Sequence, residues 1–264
     1  MEFFDEIISV LKQEAAKKER VFLDAEVLDK LGENASLMAA KKPGQADNCQ
    51  VRQSPDNVVD AAFSEKLSNV LQGKTIAGCA NSNDEIKNLV LNCGGCGLSK
   101  YRQHAISGCG NINSRLMFIG EAPSASDDAE NRLFSGDVGE LLDKMITAMG
   151  FTGREEVYLT TMLKCRPPGN RVAEKQEVDS CIDFLKKEIE LVKPEAIVVF
   201  GANTIKYLIG KEGSISELRG KMLYYGNIPV MPTFNPAYLL RKAAAKREVW
   251  QDLQEVMKVL GMKK

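Results

Sequence analysis

Residues 115–123 carry the sequence Arg-Leu-Met-Phe-Ile-Gly-Glu-Ala-Pro. The apolar run, which stops at Gly-Glu-Ala-Pro, predicts a short buried strand with a turn directly after it. Strand-like runs also occupy residues 157–162, 196–200 and 228–233. The run 196–200, Ala-Ile-Val-Val-Phe, is apolar throughout, which is typical of a strand covered on both faces of its sheet. These runs are the candidate strands of the fold.

Apolar residues at helical spacing precede, separate and follow these runs. The corresponding helices are predicted at residues 83–91, 138–149, 178–192, 202–209 and 246–260. The alternation of strand and helix predicts an α/β fold with a parallel sheet that is covered by helices on both faces. Ligands of such sheets bind at the carboxyl ends of the strands. Because Glu121, Thr161, Gly201 and Asn235 fall at or just past those ends, we expect an active cleft there.

Four cysteines have the spacing of a metal site. Cys93 and Cys96 form a C-G-G-C pair, and Cys165 and Cys181 follow with fifteen residues between them. Four thiolates in this pattern suit an iron–sulfur cluster or a structural zinc ion, and the spacing alone does not choose between the two. Core packing is the alternative for any single one of them, above all for Cys181 on the inward stripe of its helix. Cys109 is an additional candidate ligand that the spacing does not place.

The chain has 264 residues and a net charge of −1. Residues 1–92 carry 15 acidic and 11 basic side chains, whereas residues 93–264 carry 21 acidic and 24 basic side chains. A mildly basic main domain behind an acidic extension is compatible with a polyanionic partner. We expect residues 1–80 to form an N-terminal helix and a largely disordered linker, and residues 81–264 to form the main domain.

The predicted N-terminal helix, at residues 2–20, has an apolar stripe. Packing on its own domain is the favoured role of such a stripe, and docking to a protein partner is the alternative. Acidic residues interrupt the stripe, so it is not expected to be a signal peptide. No run of the sequence approaches the 18 apolar residues of a membrane span. Together with an odd number of cysteines, these features predict reduced thiols and a cytoplasmic location.

Several side chains near the predicted cleft suit chemistry on a nucleic acid. Glu121 could orient a water molecule or oppose a developing cation, although an acid at this place could equally cap a helix. Phe134 could offer a platform for a stacked base or belong to the core. Asn235 stands between two prolines, which hold its amide in place and favour a role in the site over a role in a turn.

Basic residues cluster on either side of the predicted cleft, where they could hold phosphates. The usual alternative for such clusters is a solvated face. The first cluster surrounds the third cysteine and the second follows the last strand: Lys164, Arg166 and Arg171, then Arg241, Lys242, Lys246 and Arg247.

Three motifs together resemble the iron–sulfur family-4 uracil-DNA glycosylases. They are Gly120-Glu121-Ala122-Pro123 with Phe134 and the glycines that follow it, residues 164–171 (Lys-Cys-Arg-Pro-Pro-Gly-Asn-Arg) and residues 235–241 (Asn-Pro-Ala-Tyr-Leu-Leu-Arg). The likeness covers about residues 83–260. It implies a three-layer α/β/α sandwich around a central four-stranded parallel sheet. It also implies a [4Fe-4S] cluster on Cys93, Cys96, Cys165 and Cys181 that holds a DNA-facing loop without a redox step.

The resemblance implies that the protein excises uracil that is flipped out of DNA, because the glycosidic bond is inaccessible inside the stack. We expect a monomer that binds uracil-containing DNA. By position, Glu121 and Asn235 are the catalytic residues. The residues expected at the base are Gly120, Ala122, Asp127, Phe134 and Thr161. The residues expected on DNA are Arg166, Arg171, Tyr238, Leu239 and Arg241, with the segment 238–240 entering the duplex.

The sequence departs from the family pattern at three positions. Asn235 replaces a histidine that donates to the uracil oxygen gaining charge, Thr161 replaces the asparagine that binds the uracil edge, and Ser124 replaces a glycine. A lost donor of this type costs roughly 10²–10³ in rate, and a threonine cannot make the two-point contact of asparagine. Two alternatives therefore stand beside a uracil glycosylase: a non-catalytic iron–sulfur DNA-binding module, and a glycosylase for another deaminated base such as hypoxanthine or xanthine.

Overall fold

The computed structural model of the chain describes residues 82–262. The predicted N-terminal helix and linker, with Cys49 and Cys79, lie outside these residues. Within the described part of the chain, no helix is both long enough and apolar enough to cross a membrane.

A six-stranded sheet forms the centre of the described structure. Its strands are β1 Cys109–Gly110, β2 Leu116–Gly120, β3 Tyr158–Thr161, β4 Ala196–Phe200, β5 Leu223–Tyr225 and β6 Ile228–Thr233. They are ordered β1-β3-β2-β4-β6-β5. The inner four strands are parallel, which confirms the predicted core of the sheet. The two edge strands are antiparallel to their neighbours, so the sheet is mixed and larger than the four-stranded one that was expected.

Eight α-helices are present in the described residues: α1 Asn83–Leu91, α2 Ala125–Glu130, α3 Gly136–Ala148, α4 Lys175–Val192, α5 Ala202–Ile209, α6 Ile215–Leu218, α7 Pro236–Arg241 and α8 Lys246–Val259. The five long helices agree with the helical periodicity of the sequence. The other three, α2, α6 and α7, span at most six residues each, and so short a segment shows no clear period.

Alternating residues of the inner strands send side chains to opposite faces of the sheet. On one face, Met117 and Ile119 of β2 belong to a core that includes Val178 of α4 and Ile205 of α5. On the other face, Phe118 stacks on Phe200 with their ring centroids 5.7 Å apart, and α8 packs against β4 and β6. Helices therefore cover both faces, which confirms the three-layer α/β/α architecture. The carboxyl ends of β2, β3, β4 and β6 lie together at one edge.

Candidate functional site

At this edge, Gly120, Phe134 and Thr161 meet. A Cβ atom placed on Gly120 would lie 3.1 Å from Cζ of Phe134 and 3.1 Å from Cγ2 of Thr161. The absence of a side chain at Gly120 therefore lets the aromatic ring and the threonine methyl group approach the end of β2. The structure brings together these three residues, which the sequence places 41 positions apart at most. Ala122, in the turn after β2, is partly buried against the core.

The backbone of Phe134 is held in an uncommon conformation. Its φ angle is +51°, and its ring makes an edge contact with Phe200 at a centroid distance of 6.0 Å. Arg154 donates to the carbonyl oxygens of Leu133 (3.0 Å) and Phe134 (2.8 Å). Gly139 allows this approach, because a Cβ atom there would lie 1.9 Å from the Phe134 carbonyl oxygen. A positive φ at an aromatic residue persists only when its surroundings hold it, so Phe134 is fixed in advance.

Asp127 connects the two loops that bear these residues. Its Oδ1 accepts from the backbone N–H (2.7 Å) and the hydroxyl (2.8 Å) of Ser135, and its Oδ2 accepts from the backbone N–H of Ser124 (2.9 Å). The side chain is buried and both of its oxygens are occupied. Asp127 therefore connects the turn after β2 to the loop of Phe134. The backbone anchor at position 124 would also be present with glycine, whereas the Ser124 hydroxyl adds a cap to α2 by accepting from the backbone N–H of Asp127 at 3.2 Å.

The carboxylate of Glu121 reaches across to the start of α5. Its Oε1 accepts from the backbone N–H of Asn203 at 3.1 Å. A Cβ atom on Gly201 would lie 2.4 Å from the same oxygen, so only glycine leaves room for the carboxylate there. Burial raises the pKa of Glu121, and the hydrogen bond from Asn203 opposes that rise. The acid thus caps a helix, as the sequence allowed, and its charge lies at the edge where the inner strands end.

Thr161 and Asn235 each have one polar group committed within the protein. The Thr161 hydroxyl donates to the carbonyl oxygen of Leu163 at 2.7 Å, so towards a ligand this hydroxyl can only accept. The Asn235 Oδ1 accepts from the backbone N–H of Ala237 at 2.9 Å and caps the start of α7. That bond orients the amide group, so among the described residues its Nδ2 is left as a donor without a protein acceptor.

The segment that was expected to enter DNA lies within helix α7, and its two leucines differ in exposure. Leu239 is only 2% exposed, whereas Leu240 is 48% exposed, because α7 packs against α3. The structure therefore moves the expected insertion from Leu239 to Leu240. The Tyr238 ring stacks on Phe234 with a centroid distance of 4.9 Å, and the exposed Arg241 has no acidic partner within the described part of the chain.

The two arginines beside the third cysteine differ in their freedom to bind phosphate. Arg171 donates to both carboxylate oxygens of Glu177, at 2.9 and 2.6 Å, and pairs with Glu174 at 3.2 Å. This partnership lowers the pKa of Glu177 and neutralises the charge of Arg171, which weakens the case for a phosphate contact there. Arg166 instead donates to the neutral side chain of Asn170 at 2.8 Å, so its charge is not neutralised.

The four expected cysteine ligands are all free thiols. Their sulfurs influence one another electrostatically, as expected of one group. Arg102 links its two halves by donating to Sγ of Cys165 (3.0 Å) and to the carbonyl oxygen of Cys93 (2.8 Å). Cys109 lies in β1 and is disulfide-bonded, so it supplies no free thiol. The expectation of reduced thiols is thus confirmed for the four ligands and wrong for Cys109.

Four cysteine thiolates are a donor set that suits an iron–sulfur cluster or a zinc ion. No three potential ligands in the described residues are grouped tightly enough to hold one metal ion. Backbone N–H groups of Gly95 and Lys164 donate to Sγ of Cys93 (3.4 Å) and Cys181 (3.3 Å). Burial raises the pKa of the Cys96, Cys165 and Cys181 thiols, so a metal is needed to displace their protons.

Fold and site together define an α/β protein with three side chains at the ends of its parallel strands: a partly buried carboxylate, an aromatic ring with a fixed backbone and a helix-capping amide. Four free thiols belong to the same domain. A family model described as the uracil DNA glycosylase superfamily matches residues 107–254. The chain belongs to this superfamily, which confirms the resemblance of the motifs.

Relatives named type-4 uracil-DNA glycosylase are similar over most of their length. The one from Saccharolobus solfataricus is 36% identical over 188 residues, which are 68% of this chain and 87% of the relative. The one from Sulfurisphaera tokodaii is 34% identical over 184 residues, covering 67% and 84%. The one from Thermotoga maritima is 36% identical over 170 residues, covering 63% and 88%.

Sequence reasoning missed Arg102, Arg154 and the buried ion pair between Lys164 and Glu188. Arg102 is separated by 63 positions from the sulfur that it contacts, and Arg154 is separated by 20 from the carbonyl of Phe134. No local sequence pattern predicts contacts between residues so far apart in the chain. One signal was available for Glu188, since it lies seven residues after Cys181 and so falls on the same inward face of a predicted helix.

Proposed function

We propose that this protein is a DNA repair glycosylase that hydrolyses the N-glycosidic bond of uracil flipped out of DNA and leaves an abasic site. The observation that carries the proposal is the meeting of Phe134, Gly120 and Thr161 beside the partly buried carboxylate of Glu121. The names of the type-4 relatives support uracil as the base. The protein acts as a monomer in the cytoplasm, and a protein partner recognises its N-terminal residues.

Phe134 binds the flipped base by stacking. An aromatic face stabilises a stacked base by about 1–3 kcal/mol, and a ring already fixed by Arg154 and Gly139 loses little freedom when the base arrives. The backbone at Gly120 and Ala122 approaches the base because no side chain intervenes at Gly120. Asp127 acts indirectly, because it holds the turn after β2 and the loop of Phe134 in place relative to each other.

Glu121 acts on the sugar. As the glycosidic bond breaks, the sugar gains positive charge and the departing base gains negative charge. A carboxylate at a partly buried position stabilises that cation more strongly than it would in water, and it can orient the attacking water molecule. The amide of Asn203 fixes the carboxylate, so little reorganisation is required during the reaction.

Asn235 and Thr161 bind the base edge. The free Nδ2 of Asn235 donates to the uracil oxygen that gains charge, in the role of the family's histidine. The Thr161 hydroxyl accepts from a ring N–H group. This single contact selects the base less strongly than a two-point contact would. Other deaminated bases should therefore be tested as substrates beside uracil.

Cys93, Cys96, Cys165 and Cys181 hold a [4Fe-4S] cluster. When bound, the cluster supplies iron–thiolate bonds that join three segments distant in the sequence. Arg102 supports the same junction through its contacts with Cys165 and Cys93. Towards DNA, Arg166 and Arg241 contact phosphates, Tyr238 lies along the surface, and Leu240 fills the space that the base has left.

The test is strand cleavage of end-labelled oligonucleotides after alkali treatment. Anaerobically purified protein is incubated with oligonucleotides that carry one uracil, hypoxanthine or xanthine. We expect uracil excision that falls to a small residual rate in Glu121→Ala, which controls for a contaminating glycosylase. If hypoxanthine alone were excised, hypoxanthine and not uracil would be the substrate. Salt-dependent DNA binding without any abasic product would identify a non-catalytic binding module.

A further inference from the structure

The buried ammonium group of Lys164 is an unusual feature beside the cysteines. The residue is 1% exposed, and its Nζ donates to Oγ1 of Thr160 (2.7 Å), the carbonyl oxygen of Thr161 (2.9 Å) and Oε2 of Glu188 (2.7 Å). All three N–H bonds of an ammonium group are therefore used. Its position is defined by three acceptors from two different elements, β3 and α4.

Its partner Glu188 is equally well satisfied. The residue is 0% exposed, and its Oε1 accepts from the backbone N–H of Gly108 at 2.9 Å and from the hydroxyl of Ser107 at 3.4 Å. Buried ion pairs seldom stabilise a fold more than an apolar pair of similar volume would. A complete network of this kind fixes positions instead, since each charged group accepts only one arrangement of its neighbours.

Helix α4 holds Lys164 at both ends. Cys181 and Glu188 are seven residues apart and so lie on the same face of the helix. Sγ of Cys181 accepts from the backbone N–H of Lys164 at 3.3 Å, while Glu188 holds the side chain. The next residue, Cys165, is another of the four thiol residues. Any shift of the cysteine group relative to the sheet must therefore shift Lys164.

On its other side, Lys164 supports the turn that borders the base. It holds the Thr161 carbonyl, and within the turn the N–H groups of Met162 and Leu163 donate to the carbonyl oxygens of Gly120 (2.9 Å) and Glu121 (3.0 Å). We propose that Lys164 is a positioning residue that couples the four-cysteine group to the turn beneath Gly120, Glu121 and Thr161. The effect on catalysis rests on the proposed glycosylase function, whereas the coupling itself does not.

The test uses the double variant Lys164→Met, Glu188→Gln, which removes both charges. A single substitution would leave one buried charge unpaired and destabilise the fold strongly. In the double variant, the glutamine keeps an acceptor for Gly108 and its amide can donate to Thr160 in place of Lys164. The bond from Lys164 to the Thr161 carbonyl and the bond from the Thr160 hydroxyl to Glu188 have no replacement. Leu185→Ala, a fully buried position on the same helix, is the control for a general loss of stability.

Iron content, amide hydrogen exchange and steady-state kinetics are measured on each protein. We expect a cluster-loaded double variant in which exchange at Met162 and Leu163 rises about tenfold, as for one lost hydrogen bond, while β4 is unchanged. Its kcat falls about 10–100-fold with little change in KM, whereas Leu185→Ala keeps its kcat. Unchanged exchange in the turn, or an equal loss of kcat in Leu185→Ala, would overturn the proposal.

Thr160→Val provides a milder perturbation, because it removes one of the three acceptors and keeps the ion pair. If the double variant does not fold, exchange and kcat in Thr160→Val must change in the same direction by a smaller factor. If wild-type protein excises no base, the proposed function fails, and hydrogen exchange alone then decides whether Lys164 holds the turn.

Discussion

Replacing Gly201 by alanine should displace the carboxylate of Glu121 and so lower the excision rate, although Glu121 itself is not substituted. A Cβ atom at position 201 would lie 2.4 Å from Oε1 and 2.8 Å from Cδ of Glu121. Ordinary contact begins near 3.4 Å, so the carboxylate must move by about 1 Å. A misplacement of about 1 Å in a catalytic group can cost about 10²-fold in rate. We therefore expect single-turnover uracil excision by Gly201→Ala to fall by about two orders of magnitude.

The backbone at Gly201 adds a cost in stability. Its φ of +104° lies in a region that side-chain-bearing residues avoid, at about 1–3 kcal/mol. For a protein of this size, each kcal/mol lowers Tm by roughly 2–4 °C. Gly210 is the matched control, because it ends the same helix with a φ of +78° and a Cβ atom there would meet nothing within 4 Å. Gly210→Ala should lose stability and keep its excision rate.

A double-mutant cycle with Glu121→Ala completes the test, since coupled positions deviate from additivity. In the Glu121→Ala background, the clash is gone, and Gly201→Ala should lower the residual rate no further. The reasoning is refuted if Gly201→Ala retains a rate within about threefold of wild type. It is also refuted if the substitution lowers the rate equally with and without the carboxylate.

Three further predictions concern the same edge of the sheet. Burial raises the pKa of Glu121 above its ordinary value of 4.5, so the ionised, active form is lost as pH falls through that raised pKa. The single-turnover rate should therefore decline on the acid side at a pH above 4.5. This acid-side decline should be absent in Glu121→Gln. Asn235→Asp keeps an acceptor for the cap of α7 but loses the N–H donor, so Tm should hold while excision falls about 10²–10³-fold; an unchanged rate would remove Asn235 from catalysis. Leu240→Ala should reduce excision from duplex DNA but not from single strands, while Leu239→Ala should lower stability by about 2–5 kcal/mol, as thermal melts and both substrates would show.

The inner sheet could be predicted because β2 and β4 are buried, largely apolar runs, and two of the four strands, β4 and β6, have the predicted bounds. The edge strands could not. β1 has two residues and β5 has three, with Tyr224 of β5 61% exposed, so neither shows the period or the apolar run that marks a strand. Their pairing depends on a neighbouring strand rather than on their own sequence.

The site could be predicted as far as topology determines it. Parallel strands place Glu121, Thr161, Gly201 and Asn235 at one edge, and the structure agrees. The structural roles of Asp127, Arg154 and Lys164 could not be predicted, because these residues act through contacts that only the folded chain creates. Likewise, the sequence of α7 does not reveal which leucine is buried, since that depends on how the helix packs against α3.

Asn235 illustrates how a departure from a family pattern can have a local reason. The position begins α7, with Pro236 at the first helical residue, and asparagine is among the best residues for capping a helix while histidine is not. The amide thus satisfies two demands, because Oδ1 stabilises the helix that presents Leu240 and Nδ2 stays available as a donor. A histidine would be the stronger donor to an anionic base but would leave the Ala237 N–H without this partner. Under the proposed mechanism, asparagine is therefore a weaker donor to the base but a better cap for α7, a common compromise between activity and stability.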